Sequence, residues 1–326
     1  MEFPIKYRGV IMALFIDGFE QFDKMADAGA EMRLAGYDVM GAVTTATGRK
    51  SGRCMVLTGS SISRAAAWGG NLFTVGFAVR FAARGPLLQL TGGIVLTLNK
   101  DTGRPMIGDV AGNAGPVKDR WYYVEMLLNR SARTVTLFLN GKADMQVVMP
   151  EEMAAESSIT VRLNPFDAVN DGTGGGTRNY DDFYMRDNDR LGPMQITTRF
   201  PTEDAVPNAW APSEGPTAEH WAMVGVLPID KLDKYLIANV SNAEESFKSS
   251  AKLPDNNKVV ALGMVTLIRK TTIDDLYITA RFDGRDVDVR DVPMDWRYRY
   301  SQFPVDGDTK SSIEDAEFGA VLRRNI

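Results

Sequence analysis

The chain has one histidine and one cysteine among 326 residues. A single cysteine cannot close an intrachain disulfide or build a cysteine-rich zinc site, and a single histidine removes the two-histidine metal motifs. A serine–histidine–aspartate arrangement would have to use His220, which stands between Glu219 and Trp221, and the chain contains no GxSxG. His220 therefore reads as a surface or half-buried imidazole. Cys54, followed by Met55, Val56 and Leu57, reads as a small buried hydrophobe.

A basic excess is also missing. Lys and Arg total 37 against 42 Asp and Glu, a net charge of −5, which argues against nucleic acid as a partner. No apolar run approaches the roughly 20 residues that span a bilayer, so no membrane insertion is expected. The longest N-terminal run, Val10–Ile16, follows Lys6 and Arg8, stops at Asp17 and lacks a small-x-small cleavage site. It reads as a buried first strand rather than a signal peptide. The glycine-rich stretch at 170–179, including Gly172 and Gly174–Gly176, lacks the Gly-Lys-Ser/Thr of a phosphate loop and ends in Arg178. It reads as an inter-strand loop, and no cofactor is expected.

What remains has an ordinary globular composition, 44% hydrophobic and 24% charged, with length for about two domains. Strand signals dominate. Phe73, Val75, Phe77, Val79 and Phe81 alternate, which places them on one face of a strand over Leu72–Phe81. Further strands are expected over Leu87–Leu90, Ile94–Leu98, Trp121–Leu128, Val135–Leu139, Ile159–Leu163 and Asp182–Met185. Asn140-Gly141 supplies a tight turn. Such spacing predicts an antiparallel β-sandwich. Beyond it, Met194–Phe200, Val259–Arg269, Leu276–Phe282 and Trp296–Tyr300 read as strands, around a proline-rich loop over 201–216. Short helical turns are expected within Glu20–Ala35, Glu151–Glu156 and Glu244–Lys252.

Several of these segments, in this order, resemble a family of bacteriophage virion proteins that open with a concanavalin A-like, laminin G-like jelly roll. Ala13–Glu20 carries the Asp17-Gly18-Phe19 opening. Gly48–Gly52 resembles the turn before an apolar strand, and Leu72–Phe81 and Trp121–Glu125 resemble the next two core strands. Val135–Gly141 resembles the hairpin, Tyr180–Met185 the closing strand and Leu191–Ile196 the link into a second domain. Trp210–Ser213 and Ala316–Gly319 match further along. The resemblance implies a mainly β chain: an arm over 1–11, a jelly roll over 12–190 and a smaller, mostly β domain over 191–326. It implies a non-enzymatic structural component of the particle, often associated with the tail, baseplate or fibre, with a head decoration protein as the alternative, located in the virion after synthesis in the bacterial cytoplasm. Its partners would be other virion proteins and further copies of itself.

Three functions can be weighed on particular residues. A retaining glycosidase needs two carboxylates about 5–5.5 Å apart. Glu125 stands alone in its strand, and the adjacent Asp181 and Asp182 would point to opposite faces of theirs. No enzyme is expected. For a lectin-like module that binds a host surface glycan or a calcium ion, Asp109, Asn113, Asn140 and Asp181 are candidate oxygen ligands, with Trp68 or Trp210 as a stacking platform for a sugar. For an assembly subunit, Trp296, Arg297, Tyr298, Arg299 and Tyr300 combine the aromatics and arginine that interface centres favour. Phe3, Ile5 and Tyr7 of the arm could add to a neighbouring sheet edge.

Overall fold

The computed structural model describes residues 14–22, 28–50, 52–165, 176–225, 233–255, 258–305 and 307–324. Two large antiparallel sheets face one another. The first runs Lys142–Val148, Thr134–Leu139, Trp121–Asn129, Leu72–Phe81, Arg178–Arg186, Arg53–Leu57 and Val43–Thr47, with Leu14–Asp17 also pairing to Arg178–Arg186. The second runs Val110–Ala111, Pro105–Ile107, Val95–Leu98, Gly85–Leu90, Ser158–Leu163, Ser61–Ala67 and Asp38–Met40. Period two sends Phe73, Val75, Phe77, Val135 and Leu137 of the first sheet against Ile62, Leu90, Leu96, Ile159 and Val161 of the second. This is a jelly-roll sandwich. Asn140 and Gly141 take positive φ, 49° and 82°, at a two-residue hairpin between Thr134–Leu139 and Lys142–Val148, matching the turn that the Asn-Gly pair favours.

Three smaller sheets follow within 203–324. A five-stranded sheet runs Glu203–Asn208, Glu244–Lys248, Phe318–Arg324, Leu276–Phe282 and Arg285–Val289. Leu262–Ile268 pairs with Arg297–Phe303, and Ala211–Pro212 with Leu236–Ile237. Their shared core is small and includes Ile278, Phe282, Phe303, Ile313 and Leu322. Helices are few and short: Ala28–Leu34, Glu151–Ala154, His220–Val224 and Lys310–Asp315, the last capped by the Thr309 side chain.

Residues 1–11, and most of the Val10–Ile16 strand expected there, lie outside the described residues, as does most of the glycine-rich loop. Within the described residues, four segments differ from the sequence reading. The Glu244–Lys252 segment is not helical: Glu244–Lys248 is a strand with ladders on both sides and with Glu245 and Phe247 buried. Tertiary pairing overrides the helix preference of its glutamates. Met194–Phe200 has no regular structure; its backbone bonds to side chains of the sandwich at Met194 and Ile196. The proline-rich stretch contains the strand Glu203–Asn208, tolerated around Pro207 because it is an edge strand with broken register. Finally, Leu72–Phe81 is buried on both faces, Thr74 and Ala78 as fully as Phe73 and Phe77. Something covers the outer face of the first sheet.

Candidate functional site

The cover is the chain's own strap, residues 190–199. Two strands of the first sheet, with Arg49 and Glu20 from neighbouring turns, project a polar cluster outward to receive it. Glu125, fully buried on Trp121–Asn129, accepts at Oε1 from the Tyr184 hydroxyl at 2.7 Å and from the Gly192 amide at 2.9 Å. Its Oε2 accepts from the Arg190 guanidinium at 2.9 Å, and that guanidinium lies 3.5 Å from the centre of the Phe138 ring. Leu191 and Met194 then pack over an outer apolar cluster of Leu14, Ala78, Tyr123 and Tyr184.

The next anchor is a bulge. The pairing of Arg178–Arg186 with Leu72–Phe81 slips between Asp181 and Tyr184, and Asp182 takes φ 50°. An unbroken strand would send Asp181 and Asp182 to opposite faces; the bulge instead turns both carboxylates onto Arg49. Asp181 Oδ2 accepts from the Arg49 amide at 2.7 Å, and Asp182 Oδ2 from Arg49 Nε at 2.8 Å. The same guanidinium reaches the Met194 carbonyl, and Asp182 Oδ1 accepts from the Ile196 amide at 2.7 Å. Glu20 Oε2 accepts from Thr198 Oγ1 at 2.8 Å. At the far end, Arg199 donates to the carbonyls of Ser249, Ala251, Ile313 and Glu314, all in the second unit.

Burial dominates the electrostatics. It pushes the Glu20 carboxyl up to about 9. It pushes Asp181 up to about 7, with the Asp182 charge adding to the rise, and it also raises Asp182, against the opposing pull of Arg49. These groups look like a catalytic cluster in composition. In geometry they are consumed: each carboxylate already accepts hydrogen bonds from the strap or its anchors. Among the described residues, no group of three or more His, Cys, Asp or Glu could hold a metal ion.

The other sequence candidates fall elsewhere. Trp68 is a correction: it is 1% exposed, packs against Phe73 and carries the Arg130 guanidinium 3.9 Å from its ring centre, so no face is open for a sugar. Asp109 is exposed in a short hairpin. Asn113 is exposed but committed: its amide and that of Ala114 donate to Asp144 Oδ1, and its side chain donates to the Asp144 carbonyl. Asn140 Oδ1 holds the Tyr123 amide, and the half-buried Trp210 donates to the Ala243 carbonyl.

In Arg297–Phe303 the alternation is real, but the tyrosines face inward. Tyr298 is buried against Phe22 in the sandwich core, and Tyr300 packs edge-on to Phe15 with ring centres 5.4 Å apart. Both serve to join the second unit to the sandwich, a correction to their assignment as contacts for a partner. Arg299 binds Asp291. Arg297 is exposed, and Trp296, half-buried, meets Tyr235 edge-on and lies under Arg269. Phe3, Ile5 and Tyr7 lie outside the described residues. Sequence reasoning missed the strap and its anchors Glu20, Glu125 and Arg199. The one available signal was Leu191-Gly192-Pro193 following a strand with charged outer positions.

No family model matches the chain, and no curated protein matches it. Among solved structures, the chain is similar to domain 4 of AbnA, an extracellular arabinanase of Geobacillus stearothermophilus, in complex with arabinotriose. That match has 14% identity over 54% of this chain and 92% of that one, with a TM-score of 0.39. The botulinum neurotoxin serotype C1 binding domain matches at 13% identity over 86% of this chain and 76% of that one, TM-score 0.37. A point mutant of the Emp46p carbohydrate recognition domain matches at 11% identity over 51% and 94%, TM-score 0.35.

Proposed function

We propose that this chain is a non-enzymatic structural subunit of a bacteriophage virion, tail-associated, whose work is positional. One observation supports the reading above the others. The outer face of the first sheet is covered by residues 190–199, and its buried carboxylates Glu125, Asp181 and Asp182 hold that strap, directly or through Arg49. A rigid sandwich fastened this way carries a second β unit at a fixed place. The order of segments resembling virion proteins supplies the particle; the strap supplies the mechanical role. Other virion proteins and copies of the same chain are the partners, and many copies in one particle allow individually modest contacts to hold.

Mass spectrometry of purified particles, with heads and tails separated, tests this. The expected result is the chain in tails at fixed stoichiometry. Absence from particles would overturn the proposal, and saturable binding on a glycan array would then favour recognition of a host surface glycan.

A further inference from the structure

We infer that the outer edge of the strand Leu262–Ile268 is a docking site for an extended segment of a partner protein, uncharged along its middle and acidic at both ends. The inference rests on the structural-subunit reading and names the kind of contact such a subunit makes.

The first observation is an unprotected edge. Sheets carry unpaired peptide groups along their edges, and proteins blunt them with shortness, charge, proline or bulges. Most edges here are blunted. Val110–Ala111 and Asp38–Met40 are two and three residues long. Glu203–Asn208 carries Pro207 and a break in register, and Arg285–Val289 alternates charge with valine. Leu262–Ile268 has none of these devices. It is seven residues, Leu-Gly-Met-Val-Thr-Leu-Ile, paired without a bulge to Arg297–Phe303 and to no other strand. No backbone group among the described residues bonds to its other edge.

The second observation is room. All seven residues line a cleft of about 1580 Å³ between the sandwich, the strap and the second unit. That exceeds the roughly 300–1,000 Å³ of small-molecule sites and suits a segment of chain. Val265, on the strand, is 43% exposed.

Charge selects the occupant. Lys258 precedes the strand and Arg269 and Lys270 follow it. Arg269 lies over the Trp296 ring and Lys270 donates to the Asp274 carbonyl; neither these two nor Lys258 has a carboxylate partner among the described residues. Of the nine basic residues that line the cleft, Arg49, Lys234, Lys310 and Arg324 are paired with carboxylates, which leaves the cations at the two ends of this strand to set the local charge. A second copy of the same strand is the wrong occupant. Antiparallel self-pairing centred on Val265, the midpoint of the strand, brings Lys258 of one copy diagonally beside Lys270 of the other and offers neither a carboxylate, so the two basic ends repel. A strand with Asp or Glu at each end meets a cation at each end, while its backbone bonds to the free edge supply affinity.

The test uses the full chain and two fluorescein-labelled peptides, read by fluorescence anisotropy. One is Glu-Asp-Thr-Val-Thr-Val-Thr-Val-Thr-Asp-Glu; its twin has lysine at the four acidic positions. The expected result is saturable binding of the acidic peptide, with the twin about tenfold weaker or worse. Val265→Lys should abolish binding, with circular dichroism reporting the fold. Lys270→Glu, on the surface, should shift preference towards the lysine peptide, which no folding defect does. Equal binding of both peptides, no binding up to millimolar concentration, or unchanged preference in Lys270→Glu would overturn the inference. If the chain is present in tails yet binds neither peptide, the subunit reading stands and only this docking site falls.

Discussion

Thr198 Oγ1 donates to Glu20 Oε2 at 2.8 Å, tying together residues 178 positions apart. The contact leaves no slack. A β-carbon at Gly18 or Gly52 would come within 2.4 Å of the Glu20 carboxyl oxygens, so the two glycines are what let that side chain lie against the sandwich. With Glu125 at the start of the strap and Arg199 at its end, the contact makes residues 190–199 part of the first sheet's packing rather than a free linker.

The Glu20 carboxyl gives this joint a pH dependence. Burial raises it from an ordinary 4.5 to about 9. The folded chain therefore holds a proton that the unfolded chain releases, and stability falls as pH rises from about 4.5 towards 9. Asp181, raised to about 7, adds to the loss in the lower part of that window. Glu20→Gln keeps an acceptor for Thr198 and removes the ionisation. Its unfolding free energy in urea should stay level between pH 7 and 9 while that of the parent falls, by up to a few kcal/mol. Parallel pH profiles for the two proteins would contradict the assignment.

Removing Glu125 should cost far more than an exposed ion pair. Glu125→Ala leaves the buried Tyr184 hydroxyl and the Gly192 amide without their acceptor and Arg190 without its partner. Breaking such a buried arrangement costs about 3–5 kcal/mol. Urea denaturation should show that loss. Limited proteolysis should also open a new cut within 187–200, because the strap loses its first anchor.

Gly319→Ala should be among the most damaging single-atom additions in the second unit. Its β-carbon would stand 1.8 Å from the Glu245 carbonyl oxygen, a backbone atom in the adjacent strand. Side chains can rotate aside; a paired backbone cannot, so the ladder between Glu244–Lys248 and Phe318–Arg324 has to part. Overpacking costs typically about 1–3 kcal/mol, and this case belongs at the upper end. Gly284→Ala is the control: its β-carbon meets nothing within 4 Å, so only the strain of its positive φ should register. Thermal melts of the two variants side by side check the difference.

The sandwich is legible in the sequence because its signals are local. Alternation in Leu72–Phe81 and the Asn140-Gly141 turn each act within a few residues, and the structure has both elements at those positions. The strap is not legible because its partners are distant: Ile196 meets Asp182, Thr198 meets Glu20, and Arg199 meets Ile313. Nothing in Met194–Phe200 alone separates a strand from an extended segment pinned by side chains. The bulge at Asp181 is hidden for a similar reason. Alternation assumes an unbroken ladder, and one slip in register changes which way both carboxylates point. Tyr298 and Tyr300 show the remaining limit: aromatic and arginine alternation has the same pattern whether the aromatic face meets another protein or the chain's own sandwich.

Trp68 separates the two readings of the sandwich's aromatics. A stacking platform must offer an open ring face, whereas this ring is covered by Arg130 and packed on Phe73. Arg130 is itself tied down, donating to the carbonyls of Trp68, Gly70 and Glu156, so swinging it away breaks three hydrogen bonds. Trp68→Ala should therefore act as a core truncation, destabilising by about 3–5 kcal/mol, with the same loss whether or not sugars are present. Trp68→Phe, which keeps a ring beneath Arg130, should recover a substantial part of that loss. Thermal melts of both variants with and without a panel of mono- and oligosaccharides check this. A sugar-dependent rise in the melting temperature of the parent that Trp68→Phe abolishes would show that the ring is reached by ligand after all.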